Sequence, residues 1–293
     1  MVQLLPIFAV FIWALNIVVT RYVAEFVSPV SISFYRWLIA FLLLTPFIIK
    51  KVIQQSPQIK QYLPQLAVLS AVGMVLYQGL AYTASHYTTA TNMVLINAFI
   101  PVFTILVSLI VLKEKPTIFA IIGGVLSFLG LLYVLSQGHM SNLISHGSFL
   151  GNALMLGGVF FYAFYGVFLK KWKIQLPLLV SLYVQIAFAL IYHLPLIYWF
   201  GLDHINSQNA SSILYTGVFP SLIAPFLWMK SVSFIGPNRT SIFMNLMPVF
   251  TAIIATFWLS ESWTIFHTVG GLIILGGIIL AQKKQLVKKR SLT

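Results

Sequence analysis

Of the 293 residues, 60% are hydrophobic and only 7% charged, against roughly a quarter charged in a soluble domain. With a mean hydropathy of +0.97, no aqueous fold hides this much apolar surface. A formal charge of +13 and the lack of any cysteine would raise nucleic acid and exclude disulfides, thiolate metal sites and thiol nucleophiles, but the placement of the basic residues gives them a different role.

Crossing hydrocarbon takes about 20 apolar residues per helix. Ten such runs are predicted, at 4–25, 30–50, 63–85, 88–112, 117–136, 148–170, 177–200, 210–233, 239–260 and 264–282. The connections are too short for a soluble domain. The first run has neither a basic n-region nor a small-residue cleavage site and reads as a retained span. Lysines and arginines follow the even-numbered runs, at Lys50, Lys51 and Lys60, Lys113 and Lys115, Lys170, Lys171 and Lys173, Lys230 and Arg239, and in the tail from Lys283 to Arg290. Basic residues collect on the cytoplasmic face, so both termini are expected there, and the charge needs no nucleic acid to explain it.

Helix one carries Trp13, Asn16 and Thr20 on one face, either as interhelical hydrogen bonders or as cavity lining. Helix two holds Arg36 about two turns in. A charge there costs about 2.5–3.5 kcal/mol on insertion scales, so it needs a partner. The candidates are a substrate carboxylate or an ion pair with Glu25 or Glu261. Helices three and four bring Tyr77, Gln78, Tyr82, Ser85, Asn92 and Asn97, with Gln78, Tyr82 and Ser85 at helical spacing on one face. Tyrosines there offer an apolar body with a polar tip, while Tyr87 reads as an interfacial anchor. Pro101 lies mid-span, where a missing N–H kinks a helix and the freed carbonyl needs a partner or a water-lined cavity. Glu114, between Lys113 and Lys115 at a hairpin turn, reads as solvated or tethering.

Helix six repeats the pattern of helix one with Tyr162 and Tyr165. His193 lies late in helix seven, titrating or, on the preferred reading, interfacial. Trp228 is the aromatic candidate on helix eight. Asn245 and Pro248 on helix nine repeat the asparagine and proline of helix four. Gly123, Gly124 and Gly130 of helix five, with Gly270, Gly271, Gly276 and Gly277 of helix ten, allow close approach, in a scaffold or a dimer contact.

These echoes are a duplication. Pro101-Val102-Phe103-Thr104 through Leu112, Glu114, Gly123-Gly124 and Gly130 recurs without a gap as Pro248-Val249-Phe250-Thr251 through Leu259, Glu261, Gly270-Gly271 and Gly277, at a constant offset of 147. Five helices per copy is odd, so the second copy enters the membrane from the opposite side. The expected fold is an all-α membrane protein of ten transmembrane helices, built as two inverted five-helix repeats. The divisions are 1–137, 147–283 and a basic tail at 284–293. Inverted repeats suit a carrier with a central site. No paired carboxylates, H-E-x-x-H or G-x-S-x-G motif lies within a span, so an enzyme is not expected, nor a metal or other cofactor.

The Arg-bearing second helix, Trp13 with Asn16, Ala81-Tyr82 before helix four and the two Pro-x-Phe-Thr…Leu-x-Glu…Gly-Gly copies resemble the EamA family of the drug/metabolite transporter superfamily, over about residues 4–282. The resemblance implies a cavity lined by helices one to four and six to nine, with helices five and ten peripheral. Among members of this size the chain is similar to the YddG-type aromatic amino-acid exporters, whose cavity tyrosines match Tyr77, Tyr82 and Tyr162. Helix four departs from that type, with Asn92 and Asn97 in place of aromatics, so threonine or homoserine fits equally well.

The expected function is therefore a bacterial inner-membrane exporter of neutral, including aromatic, amino acids or related amphipathic metabolites. The alternative is an exporter of organic cations held by cation–π attraction. Partners are a small-molecule substrate and the lipid bilayer, with the chain a monomer or weak homodimer. Candidate substrate contacts are Trp13, Asn16, Arg36, Tyr77, Gln78, Tyr82, Asn92, Asn97, Tyr162, Tyr165, Trp228 and Asn245, with Pro101 and Pro248 as the kinks.

Overall fold

The computed structural model describes residues 2–23, 26–88, 90–97, 99–114, 116–136, 149–258 and 264–290; Glu25 and Glu261 lie outside them. The described residues form helices and no strands. In order these are α1 (Leu4–Val23), α2 (Pro29–Gln54), α3 (Ser56–Ser85), α4 in two pieces (Ala90–Asn97 and Ile100–Val111), α5 (Ile118–Ser136), α6 (Phe149–Trp172), α7 (Leu178–Phe200), α8 (Ala210–Ile235), α9 (Pro237–Ser241 through Met247–Trp258) and α10 (Ile265–Arg290).

Five of them, α2, α3, α6, α7 and α8, are long and apolar enough to cross a membrane by length and composition. Their outer surfaces carry large apolar side chains, with Phe47 82%, Phe149 90% and Tyr198 83% exposed. Such surface is stable against lipid rather than water. α2 starts where the sequence provides a start, with the Ser28 hydroxyl accepting from the Ser31 N–H and Pro29 in the first turn, where its missing N–H costs nothing. α3 begins earlier than hydropathy predicts, because a polar turn from Ser56 onward precedes the apolar run.

The two halves interleave. α1 packs on α8 and α9 of the other half, and α6 packs on α3 and α4 in the equivalent way. α2 pairs with its own counterpart α7, and α5 with α10. These two pairings fix the relative direction of the halves. Ser33 of α2 meets His193 of α7 while Thr45 meets Tyr183, so the numbers rise along one helix as they fall along the other. In the same way Gly123 meets Gly277 and Gly130 meets Gly270, and the Ser127 hydroxyl, midway, donates to the Ile274 carbonyl at 3.4 Å. Equivalent helices lying antiparallel means that the repeats are inverted. The glycine faces of α5 and α10 thus close on each other within one chain.

Departures from α geometry also come in related pairs. α3 contains a π segment at Ala71–Leu76 and α8 one at Phe219–Ile223. α4 is interrupted after Asn97, and the matching part of α9, Ile242–Leu246, is a 3-10 turn. Pro101 and Pro248 each stand in the first turn of the helical piece that follows. Pro101 thus begins a new helical piece, which corrects the expectation of a mid-helix kink there, while Pro248 follows a 3-10 turn that runs into the rest of α9 without a gap. Repeat-related positions still depart from α geometry within both spans.

Candidate functional site

The broken helices α3, α4 and α9 converge with α1 and α6 on one cavity. Its walls include Trp13, Asn16, Ile17 and Thr20 from α1, Tyr77, Gln78, Ala81, Tyr82 and Ser85 from α3, and Met93 and Asn97 from α4. Met155 and Tyr162 of α6 and Met244 and Met247 of α9 complete them. Seven of the candidates picked from sequence come together here. The π segment positions α3 for this: at Gly73 the Tyr165 ring lies so close that a Cβ would sit 2.4 Å from it, so only glycine lets α3 and α6 meet.

Aromatic edges form one end of the cavity. The Trp13 ring meets Tyr162 edge-on at 6.0 Å and Trp228 at 5.2 Å, and Tyr77 lies 4.7 Å from Tyr162. Trp228 and Tyr165 therefore stand behind the wall, in contact with Tyr162. The Tyr77 hydroxyl donates to Asn97 Oδ1 at 3.3 Å and the Asn16 amide to the Thr20 hydroxyl at 3.3 Å. Asn16 Oδ1 is buried and has no partner among the described residues.

Arg36 adjoins the cavity behind Gln78 and Tyr82 and is fully buried. Its Nε donates to the Ser221 hydroxyl at 2.7 Å, one Nη to Gln78 Oε1 at 2.9 Å and to the Tyr82 hydroxyl at 2.6 Å, and the other Nη to the Pro220 carbonyl at 3.2 Å. Trp37 stacks beneath the guanidinium, 4.9 Å from ring centre to carbon. Pro220 and Ser221 belong to the π segment of α8, whose displaced carbonyls need donors; Trp13 Nε1 also donates to Pro220 O, at 3.3 Å. Arg36 has no ion-pair partner among the described residues. The cavity and the cation share Gln78 and Tyr82 as their common wall.

Other candidates fall elsewhere. Asn245, in the 3-10 turn of α9, is buried with both amide atoms unpartnered among the described residues, and it is not among the lining side chains. The Asn92 side chain lies outside the described part. His193 is buried, with Nε2 2.9 Å from the Ser33 hydroxyl and Nδ1 2.7 Å from the Ala189 carbonyl; it joins α7 to α2 and is not interfacial. Glu114 is a tether, paired with Lys170 at the end of α6. Four methionines in the wall were missed, because in so apolar a chain methionine reads as filler. Their soft, unbranched side chains suit a surface that adapts to what it holds.

The EamA-like transporter family matches the sequence twice, over residues 1–136 and 149–282. The chain belongs to that family. The transporter is 27% identical to an uncharacterized transporter of Archaeoglobus fulgidus over 97% of this chain and 98% of the other. It is 26% identical to the uncharacterized transporter YyaM of Bacillus subtilis, over 89% and 87%. A probable terminal-alkyne amino-acid exporter of Streptantibioticus cattleyicolor is 24% identical over 78% of this chain and 76% of its own length. A solved structure superposes with a TM-score of 0.76 at 14% identity, covering 96% of each chain, and shares the fold.

Proposed function

We propose that the transporter carries neutral amino acids, or small amphipathic acids like them, across the bacterial cytoplasmic membrane by alternating access, with the basic end in the cytoplasm. The observation that carries this reading is the pairing of Arg36, a buried cation held by neutral groups alone among the described residues, with an adjoining cavity walled by aromatic and thioether side chains. A guanidinium in low dielectric favours an anion. A carboxylate entering beside Gln78 and Tyr82 reaches donors of that group, the unpaired Asn16 Oδ1 accepts from an ammonium, and the methionines and rings take an apolar side chain. The relative named as an amino-acid exporter supports the same class.

The cavity volume is about 60 Å³, well under the roughly 300 Å³ of an ordinary ligand pocket. Substrate entry therefore widens it, and the conformation described is a contracted one. Four aromatic rings on the cavity, Trp13, Tyr77, Tyr82 and Tyr162, favour the second reading, a carrier of organic cations; Arg36 opposes it.

Counterflow decides between them. Proteoliposomes loaded with unlabelled phenylalanine, tryptophan, threonine or a quaternary amine are tested for entry of the matching labelled solute without an ion gradient. Accumulation of an amino acid is expected. Accumulation of the quaternary amine alone would replace this reading with the second, and silence throughout, with and without an imposed pH gradient, would overturn the amino-acid assignment.

A further inference from the structure

The repeat relation holds for cavities as well as helices. Tyr162 also borders a void of about 10 Å³, together with Ile100, Gly166, Trp228 and Val232, which is space for one water at most. Helix six stands at an offset of 149 from helix one, and the later helices at 147. Tyr162 then corresponds to Trp13, Gly166 to Ile17, Trp228 to Ala81, Val232 to Ser85 and Ile100 to Met247. These five counterparts line the central cavity, whereas Thr104 and Ser241, also on the void, correspond to Thr251 and Val94, which do not. The small void thus shares most of its lining, by repeat, with that cavity.

Two further observations mark it as a binding place. Tyr162 is 5% and Trp228 2% exposed, yet neither the phenol hydroxyl nor the indole N–H has a hydrogen-bond partner among the described residues. An unpaired buried donor is costly, and the cost disappears when the void opens to water or to an acceptor on a ligand. The void also lies on a route. It shares Val232 with a vestibule of about 760 Å³ at the basic end, where Lys170, Lys173 and Arg239 stand.

We infer that the void between Tyr162 and Trp228 is the substrate chamber of the conformation facing the basic end, opening as the central cavity closes. This rests on the alternating-access reading above. The indole offers a donor only, so the ligand presents an acceptor oxygen there, as a carboxylate does.

The absence of cysteine in the chain makes the test direct. Ser85→Cys and Val232→Cys place one thiol in each chamber, and a small anionic methanethiosulfonate is the probe. Each single variant is expected to react, because both chambers open in turn. In the double variant an adduct in one chamber holds that side open and the other shut, so mass spectrometry is expected to find one adduct per chain. The pair Ser85→Cys with Ser233→Cys, the latter exposed at the basic end, is expected to take two.

Two adducts on the Ser85/Val232 pair at the rates of the single variants, or a Val232→Cys variant that never reacts, would overturn the inference. Should that pair misfold by size-exclusion chromatography, Ile17→Cys with Gly166→Cys samples the same two chambers; a Cβ at Gly166 meets only Pro237, at 3.7 Å. Counterflow by the unmodified protein separates the claims. Amino-acid exchange with independent labelling overturns the chamber alone, and exclusive labelling without amino-acid exchange overturns the substrate reading alone.

Discussion

Arg36 donates to side chains 42, 46 and 185 positions away and to a carbonyl 184 away. Its fork holds α2, α3 and the π segment of α8 together, which a lysine's single ammonium does not reproduce. Replacing it with glutamine removes the cation and leaves buried acceptors unpaired, at about 1–3 kcal/mol of stability. On the proposed reading, Arg36→Gln raises the apparent KM for an amino acid by roughly tenfold or more, the range for a hydrogen bond to a charged group. The KM for the corresponding amino-acid amide changes little. Counterflow with phenylalanine and its amide measures both, and an equal shift for the two would remove Arg36 from substrate recognition. The residue itself was legible, because a charge in an apolar run demands an explanation. Its partners were not: Glu25 or Glu261 looked the natural choice, and the observed acceptors are neutral groups on helices distant in sequence.

At the scale of helices, hydropathy alone placed all ten spans, and the 147-residue offset exposed their relation. The π segments and the 3-10 turn left no mark in composition, since their hydrogen-bond register is set by neighbouring helices. The glycines of α5 and α10 illustrate the limit. In sequence Gly123 and Gly124 look equivalent, as do Gly276 and Gly277. In the fold a Cβ on Gly123 would lie 2.4 Å from the Gly277 carbonyl oxygen, and one on Gly277 would lie 2.5 Å from that of Gly123, whereas Gly124 and Gly276 have nothing within 4 Å. Backbone cannot yield as a side chain does, so Gly123→Ala and Gly277→Ala are expected to destabilise by about 1–3 kcal/mol, the usual cost of overpacking. Gly124→Ala and Gly276→Ala are expected to stabilise by up to about 1 kcal/mol through helix propensity. Thermal unfolding in detergent compares the four, and a shared sign would mean that the α5–α10 contact is not as close as described.

For the whole molecule, polar ties between the halves stand at both ends of the bundle. At the basic end Glu114 pairs with Lys170, and the Ser108 hydroxyl donates to Asn238 Oδ1 at 2.7 Å. At the other end the α7–α8 loop clasps the start of α2. Asp203 Oδ2 accepts from the Ser28 N–H at 2.6 Å, the Asp203 carbonyl accepts from the Tyr35 hydroxyl at 2.7 Å, and the Asp203 N–H donates to the Ser31 hydroxyl at 2.8 Å. Hydrogen bonds from Ser28, the largest influence, hold the Asp203 carboxyl below its ordinary value of 3.8, against a smaller opposing effect of burial.

The folded protein thus binds this proton less tightly than the unfolded chain. The carboxylate's contribution to stability is complete above the ordinary value and is lost as pH falls from there through the lower folded value. Asp203→Asn keeps an acceptor but removes the charge. Its unfolding midpoint is expected to lie slightly below that of the unmodified protein at about pH 7, with the gap narrowing toward about pH 3. The effect is small because the side chain is largely solvated. A gap that widens on acidification would mean that Asp203 is held by something other than its charge. On the proposed alternating-access reading, opening this end releases Ser28 from Asp203, so Asp203→Asn is expected to speed counterflow where that release limits turnover.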